Sequence, residues 1–153
     1  MVIRELDLSD PVLAEELWAL QHAAYRQEAR TIGVRDLPPL METVHSLRNC
    51  GETFFGCFSA DEELAGAISI KEEQRGERVI SRIMVRPDCL RQGIATRILR
   101  HVLELAPAGI RFVVNAEARN LPAIRLYERF GFVPAGTFKP APHLTIIRFE
   151  KRA

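Results

Sequence analysis

The chain has 153 residues, 47% hydrophobic and 27% charged, the proportions of an ordinary globular domain. Its 21 basic and 20 acidic residues leave a net charge of +1, which gives no electrostatic reason to expect a nucleic-acid partner. No apolar run approaches the roughly 20 residues that span a bilayer, and the start, MVIRELDLSD, lacks a signal-peptide core, so one cytoplasmic domain over 1–153 with no membrane contact is expected.

In chain order, residues 2–6 read as a short strand. Ser9 or Asp10 followed by Pro11 marks a helix start, and Leu13, Leu17, Leu20 and Ala24 continue it at helical spacing to about Arg30, before Gly33. A second helix is expected after Pro38-Pro39, running to about Asn49. Three strand-like runs follow, 53–59, 64–70 and 78–85, joined by short turns, which favours an antiparallel meander. Residues 93–105 (GIATRILRHVLEL) return to a helical pattern, with Ile94, Ala95, Ile98, Leu99, Val102 and Leu103 on one side. A strand over 110–116 completes a strand–helix–strand unit, so its two strands should lie parallel. Asn120 suits an N-cap and Pro122 a first turn, giving a last helix over 121–130. Gly131 suits the left-handed position beyond its end, with Phe132 as the apolar residue that follows. Two strands, near 132–138 and 144–150, close the chain. The order β-α-α-β-β-β-α-β-α-β-β predicts a mixed α/β (α+β) fold with a largely antiparallel sheet.

The cysteines, Cys50, Cys57 and Cys89, are odd in number and form no CxxC pair, which fits a reducing compartment. His22, His45, His101 and His143 show no metal-ligand spacing, and no metal is expected.

Two segments carry chemistry. VRPDCLRQGIATRIL (85–99) runs from a strand end through a turn into a helix start. The unpaired N–H groups and partial positive charge of a first helical turn bind anions, and here Arg91, Gln92, Gly93, Ile94, Ala95 and Thr96 would supply those N–H groups. Gly93 allows a sharp turn and a close phosphate approach. Read on its own, the segment also fits a plain strand-to-helix turn. Neither GxxxxGK[ST] nor an opening GxGxxG is present, which argues against a P-loop or dinucleotide-binding unit. Arg82, Arg86, Arg91, Arg97 and Arg100 recur nearby, as solvated faces or as a basic rim for an anionic ligand. In NLPAIRLYERFGF (120–132), Asn120 and Tyr127 lie two helical turns apart and share a face. Singly they read as an N-cap and a core tyrosine.

Together, LRQGIA at 90–95, Asn120 and LYERFGF at 126–132 resemble the signature of the GCN5-related N-acetyltransferase (GNAT) superfamily. Leu90 departs from the Arg or Gln usual at that position. The resemblance implies a central sheet with a splayed parallel strand pair. Acetyl-CoA would lie in the splay, its arm along Ile83, Met84 and Val85, its pyrophosphate on the N–H groups of 91–96, with Asn120 and Ala123 beside it. Tyr127 would approach the thioester sulfur as the catalytic residue. The implied reaction is direct attack of a primary amine, on a small molecule or a peptide, on the acetyl thioester. Glu28, Glu72, Glu73 and Glu117 are candidates for the base, and His143 for the substrate mouth. Tyr25, Glu28 and Arg35 are candidate acceptor contacts, by analogy with the loops that choose substrates in this superfamily. A homodimer is common among such folds. Two other readings stand beside this one: a CoA-binding sensor without catalysis, which need not keep Tyr127, and an unrelated α/β domain.

Overall fold

A computed structural model describes residues 1–152. The elements are β1 (Val2–Glu5), α1 (Pro11–Ile32), α2 (Val44–Arg48), β2 (Thr53–Phe58), β3 (Leu64–Gln74), β4 (Glu77–Val85), α3 (Ile94–Leu105), β5 (Arg111–Glu117), α4 (Leu121–Arg129), β6 (Val133–Ala141) and β7 (Leu144–Arg152). One seven-stranded sheet has the order β1-β2-β3-β4-β5-β7-β6. Only β4 and β5 pair in parallel, as the strand–helix–strand pattern predicts.

The helix ends follow local chemistry. The Asp10 carboxylate accepts from the N–H groups of Val12 and Leu13, and Gly33, at φ 77°, takes the left-handed turn that stops α1 at Ile32. The second predicted helix is instead a 3-10 turn at Pro38–Met41 and a separate short α2. Glu42 interrupts it. Its backbone is extended, its carbonyl accepts from Trp18 Nε1 at 2.8 Å, and its carboxylate turns inward to Arg82. A capping box between Thr43 and Ser46 then restarts the helix. The strand predicted over 64–70 continues to Gln74, because the two-residue turn Arg75-Gly76 joins β3 directly to β4.

Alternation along the strands divides the core. Phe54, Phe58 and Met84 pack with Leu17 and Leu20 of α1 on one face. Phe55, Ile68, Ile80 and Val114 pack with Ile94, Ile98 and Leu99 of α3 and with Leu126 and Tyr127 of α4 on the other.

The feature that shapes the site is a break in the sheet. β4 pairs with β5 only from Glu77↔Arg111 to Ile80↔Val114. On its other side β4 stays paired with β3 as far as Gly66↔Val85, but Ile70 faces Ile80 while Ser69 faces Arg82. Ser81 is therefore the extra residue of a β-bulge, and a bulge bends its strand and increases its twist. Beyond it β5 continues against β7, from Asn115↔Arg148 to Glu117↔Ile146, without β4. The two parallel strands thus part at Ser81, leaving one backbone edge of 81–85 free of β5. An ion-pair cluster lies at the closed end: buried Glu77 meets Arg111 and, at 3.7 Å, Arg148.

A close contact on β3 sets how α3 begins. A Cβ on Gly66 would lie 2.6 Å from Ile94 Cγ2 and 3.1 Å from the Met84 carbonyl oxygen. Ile94 is the first residue of α3 and is fully buried. Gly66→Ala should therefore lower stability by about 1–3 kcal/mol, read from urea denaturation. It should also displace the start of α3.

Candidate active site

The strand–turn–helix segment predicted from the sequence lies at the mouth of the splay. After β4, a 3-10 turn at Pro87–Cys89 leads into Arg91 at φ 64° and Gly93 at φ 76°, both left-handed. Gly93 caps α3 with no side-chain hydrogen bond, so the first-turn N–H groups have no side-chain cap. Turns of this kind, ending at a helix N-terminus, form concave anion sites. A cavity of about 800 Å³ opens here, between α1, the end of β4, the start of α3 and α4. That is within the range of small-molecule and cofactor sites.

Helix α4 fixes the other wall. Asn120 Oδ1 caps it, accepting from Ala123 N at 3.3 Å. At its far end, Phe132 N donates to the Tyr127 carbonyl and Gly131 N to that of Glu128, both at 3.0 Å, with Gly131 at φ 88°. This is a Schellman motif. Its usual apolar contact is the Phe132 ring against Tyr127, with centroids 5.9 Å apart; Phe149 holds the same ring at 5.8 Å. The turn that ends the helix therefore also orients Tyr127. Burial pushes the Tyr127 phenol well above its ordinary pKa, and the negative charge of Glu28 adds to the rise. The phenol therefore stays protonated and keeps its O–H as a hydrogen-bond donor.

A second cavity, of about 220 Å³, lies between α1, the turn at 37–39, the middle of β4 and β5, and the β6–β7 hairpin. Tyr25, Glu28, Ile83, Asn120, Ala123 and Tyr127 line both cavities. This junction is the gap between β4 and β5. Through it Glu28, on α1, meets Asn120, on the opposite face of the sheet, with Asn120 Nδ2 donating to Glu28 Oε1 at 3.1 Å.

Three charged groups line the smaller cavity, and they differ in how fully they are satisfied. Arg82 donates five hydrogen bonds, to Glu42, Glu52 and Gln21, which matches its five N–H groups. In return Glu52 is held below its ordinary pKa: burial opposes this, and the bonds from Arg82 and Ser69 outweigh it. Glu117 accepts four bonds, from Arg119 N, Nε and Nη2 and from Thr145 N. Glu28 accepts one, from a neutral amide. Burial raises its pKa, the charge of Glu117 raises it further, and the Asn120 bond opposes both.

A family model described as "Acetyltransferase (GNAT) family" matches residues 14–132. The chain belongs to the GNAT acetyltransferase family. The UPF0157 protein YqkA of Bacillus subtilis is 32% identical over 149 residues, 97% of this chain but 43% of YqkA, so the chain spans less than half of that relative. An uncharacterized N-acetyltransferase, YsnE, also of Bacillus subtilis, is 32% identical over 104 residues, covering 62% of this chain and 67% of YsnE. The PaiA N-acetyltransferase from Thermoplasma acidophilum, solved in complex with coenzyme A, has a TM-score of 0.70 at 19% identity, covering 99% of this chain and 98% of that one. The mixed α/β sheet with one parallel pair is thus the GNAT fold, and membership supports acyl transfer as the general activity.

Within this GNAT fold most of the residues singled out in the sequence come together. Ile83, Met84, Val85, Arg91, Gly93, Ile94, Ala95, Thr96, Asn120, Ala123 and Tyr127 line the larger cavity, and Tyr25 and Glu28 line both. Gln92, Arg35 and His143 line neither; the His143 carbonyl instead accepts from Arg119 Nη2 at 2.7 Å. Glu72 and Glu73 are exposed on the outer end of β3. Of the five arginines read as solvated faces or a basic rim, only Arg91 lines the larger cavity. Arg82 lines the smaller one in its ion network, and Arg86 pairs with Glu63 and Asp88. The basic residues that do join Arg91 are Arg125 and Arg129 of α4, whose spacing of four residues was the missed signal. No helix among the described residues is long and apolar enough to cross a membrane.

The four bonds to Glu117 tie the start of α4 to β7 and make a measurable pH dependence. Hydrogen bonds from Arg119 lower its carboxyl from 4.5 to about 2; burial opposes this, and the N–H groups of Arg119 and Thr145 add to the lowering. A depressed folded-state pKa stabilises the protein above the unfolded value. The contribution should be complete above about pH 4.5 and disappear as the pH falls toward 2. Glu117→Gln should cost about 2 kcal/mol at neutral pH, with the difference from wild type closing over that window in thermal melts.

Proposed function

We propose that residues 1–153 form one acyltransferase unit that moves an acetyl group from acetyl-CoA to a primary amine by direct attack. The observation that carries this reading is the junction of the two cavities, where Glu28 and Tyr127 share one gap in the sheet. The larger cavity suits the cofactor. Backbone N–H groups from Arg91 to Thr96 would hold the pyrophosphate, with Arg125 and Arg129 lining the same cavity, so Leu90 in place of an Arg or Gln costs little. The free edge of β4 at Ile83, Met84 and Val85 would pair with the amide groups of the arm, and Asn120 keeps a second amide hydrogen for the same purpose.

The acceptor would enter through the smaller cavity. An alkylamine is mostly protonated at neutral pH and must lose a proton before it attacks. Of the carboxylates considered, Glu28 fits the role of base. Glu117 is saturated by its four bonds, and Glu72 and Glu73 lie on the exposed end of β3. The ammonium group gives one proton to Glu28, and the freed amine nitrogen forms a bond to the acetyl carbon; the carbon–sulfur bond then breaks, releasing the CoA thiolate, and the second nitrogen proton passes through solvent to that thiolate, leaving a neutral amide and CoA. Backbone N–H groups on β4 would stabilise the oxygen of the intermediate. The Tyr127 phenol would donate to the departing sulfur. Ordinary phenol and thiol pKa values, about 10 and about 8.5, already make full proton transfer uphill by roughly 2 kcal/mol, and the raised pKa of Tyr127 widens that gap. Its contribution is therefore a strong hydrogen bond rather than a completed transfer. A CoA-binding sensor would not need Tyr127 so placed.

Calorimetric titration should show micromolar binding of acetyl-CoA and none of NAD; absence of acetyl-CoA binding would overturn the reading. Tyr127→Phe should lower kcat by about 10- to 100-fold with acetyl-CoA affinity nearly unchanged, an effect of the size expected for one transition-state hydrogen bond. Equal turnover in the variant would remove Tyr127 from the mechanism. The acid limb of kcat should lie above the ordinary carboxylate range, because burial and the charge of Glu117 raise the pKa of Glu28 against the opposing bond from Asn120. Glu28→Gln should abolish that limb together with most of the turnover.

A further inference from the structure

We propose that the smaller cavity selects a compact primary amine carrying one positive charge and no carboxylate. The inference rests on the acyl-transfer reading above and concerns which acceptor it serves. It follows from counting hydrogen bonds on the charges that line the cavity.

Arg82 is the only cation among the lining residues. It is the one charged partner a substrate carboxylate could find there, yet all five of its N–H groups are committed to Glu42, Glu52 and Gln21. Its side chain is only 10% exposed, as is that of Glu52, so releasing one donor would leave a buried anion under-satisfied. Glu117 has no free lone pair to offer an ammonium group, since four donors already fill it. Arg119, its partner, is turned to Glu117 and to the His143 carbonyl.

Glu28 is different. It accepts one hydrogen bond, from the neutral Asn120 amide, and has no cationic partner among the described residues. The cavity therefore presents one unbalanced negative charge at the junction with the larger cavity. One ammonium group matches it, and a second would find no second anion with free acceptors. Much of the remaining wall is apolar, with Pro38, Pro140, Leu144 and Ile146, and the polar side chains of Ser81 and Asn115 there are neutral. A volume of about 220 Å³ holds about seven waters' worth of liquid, enough for a short aliphatic body.

Isoamylamine and leucine share one body and differ by a carboxylate, which makes them a direct test. Calorimetry on the whole protein with CoA present, and CoA release in parallel, would compare them with 1,5-diaminopentane and with a leucine-initiated tetrapeptide amide. Isoamylamine should be preferred over leucine by at least about 100-fold in kcat/KM and in affinity, the size expected when a like charge is brought beside Glu28. Glu28→Gln should narrow the ratio of the two dissociation constants about tenfold, read at saturating CoA. Preference for leucine, the diamine or the peptide would overturn the proposal, as would failure of isoamylamine to bind a protein that does bind acetyl-CoA. Absence of acetyl-CoA binding would instead overturn the acyl-transfer reading. Isoamylamine bound but not acetylated would leave the selectivity standing and refute the chemistry.

Discussion

Everything in the site depends on β4 leaving β5 at Ser81. Parallel strands that pair along their whole length expose no backbone between them, and a sheet with a helix on each face keeps those faces apart. Here four residue pairs hold the strands together and the bulge then turns β4 away. The gap exposes a strand edge that can hydrogen-bond to a ligand. It also lets a carboxylate on α1 reach an amide at the start of α4. The Glu77–Arg111–Arg148 cluster, opposite the opening, bridges β4, β5 and β7 where they still pair.

Close to that opening the protein buries several charges, and it treats them unequally. Removing a guanidinium and two carboxylates from water is expensive, and only dense, well-aligned hydrogen bonding offsets it. The Arg82 network meets that demand with five bonds and joins α1, the segment around Glu42 and Glu52, and β4 into one unit. Glu117 meets it with four, two of them from backbone. Glu28 meets it with one. Glu28 is half-buried, lines both cavities and keeps free acceptor positions, and titratable groups perturbed in this way concentrate at functional sites. The contrast between saturated and unsaturated carboxylates is what separates scaffold from chemistry here.

Much of this was legible in the sequence because it is local. Gly93 and Gly131 sit where the backbone must turn left-handed, and each marks a helix boundary without reference to the rest of the chain. The strand order followed from turn lengths and the change of period from two to 3.6. Asn120 and Tyr127 were recognisable as a pair because helical spacing alone puts them on one face. Non-local features were not legible. The second helix was drawn as one piece because nothing near Glu42 announces that its carboxylate belongs to Arg82, 40 residues away. Ser81 carries no mark of a bulge, which depends on the partner strand. Glu28 is one of four candidate bases in the sequence, and nothing local singles it out, since its contact with Asn120 spans 92 residues. Apart from their spacing, Arg125 and Arg129 carry no local mark of a ligand site, and only the fold sets them beside the larger cavity.

Glu28 and Tyr127 line the same gap, and the protonation of Glu28 bears on the phenol. The charge on Glu28 is one of the two causes that raise the Tyr127 phenol. While Glu28 is ionised and waiting for the amine, the phenol therefore holds its proton firmly. In the proposed reaction Glu28 is neutralised when it takes the amine proton, just before the sulfur departs. Loss of that negative charge lowers the phenol pKa and strengthens Tyr127 as a donor at the moment thiolate character appears. One short-range electrostatic contact would then time the two ends of the transfer, with no movement of either side chain. The influence runs one way, since burial and the charge of Glu117 raise Glu28 while Glu28 in turn raises Tyr127, and the two groups share one site only because the sheet opens between them.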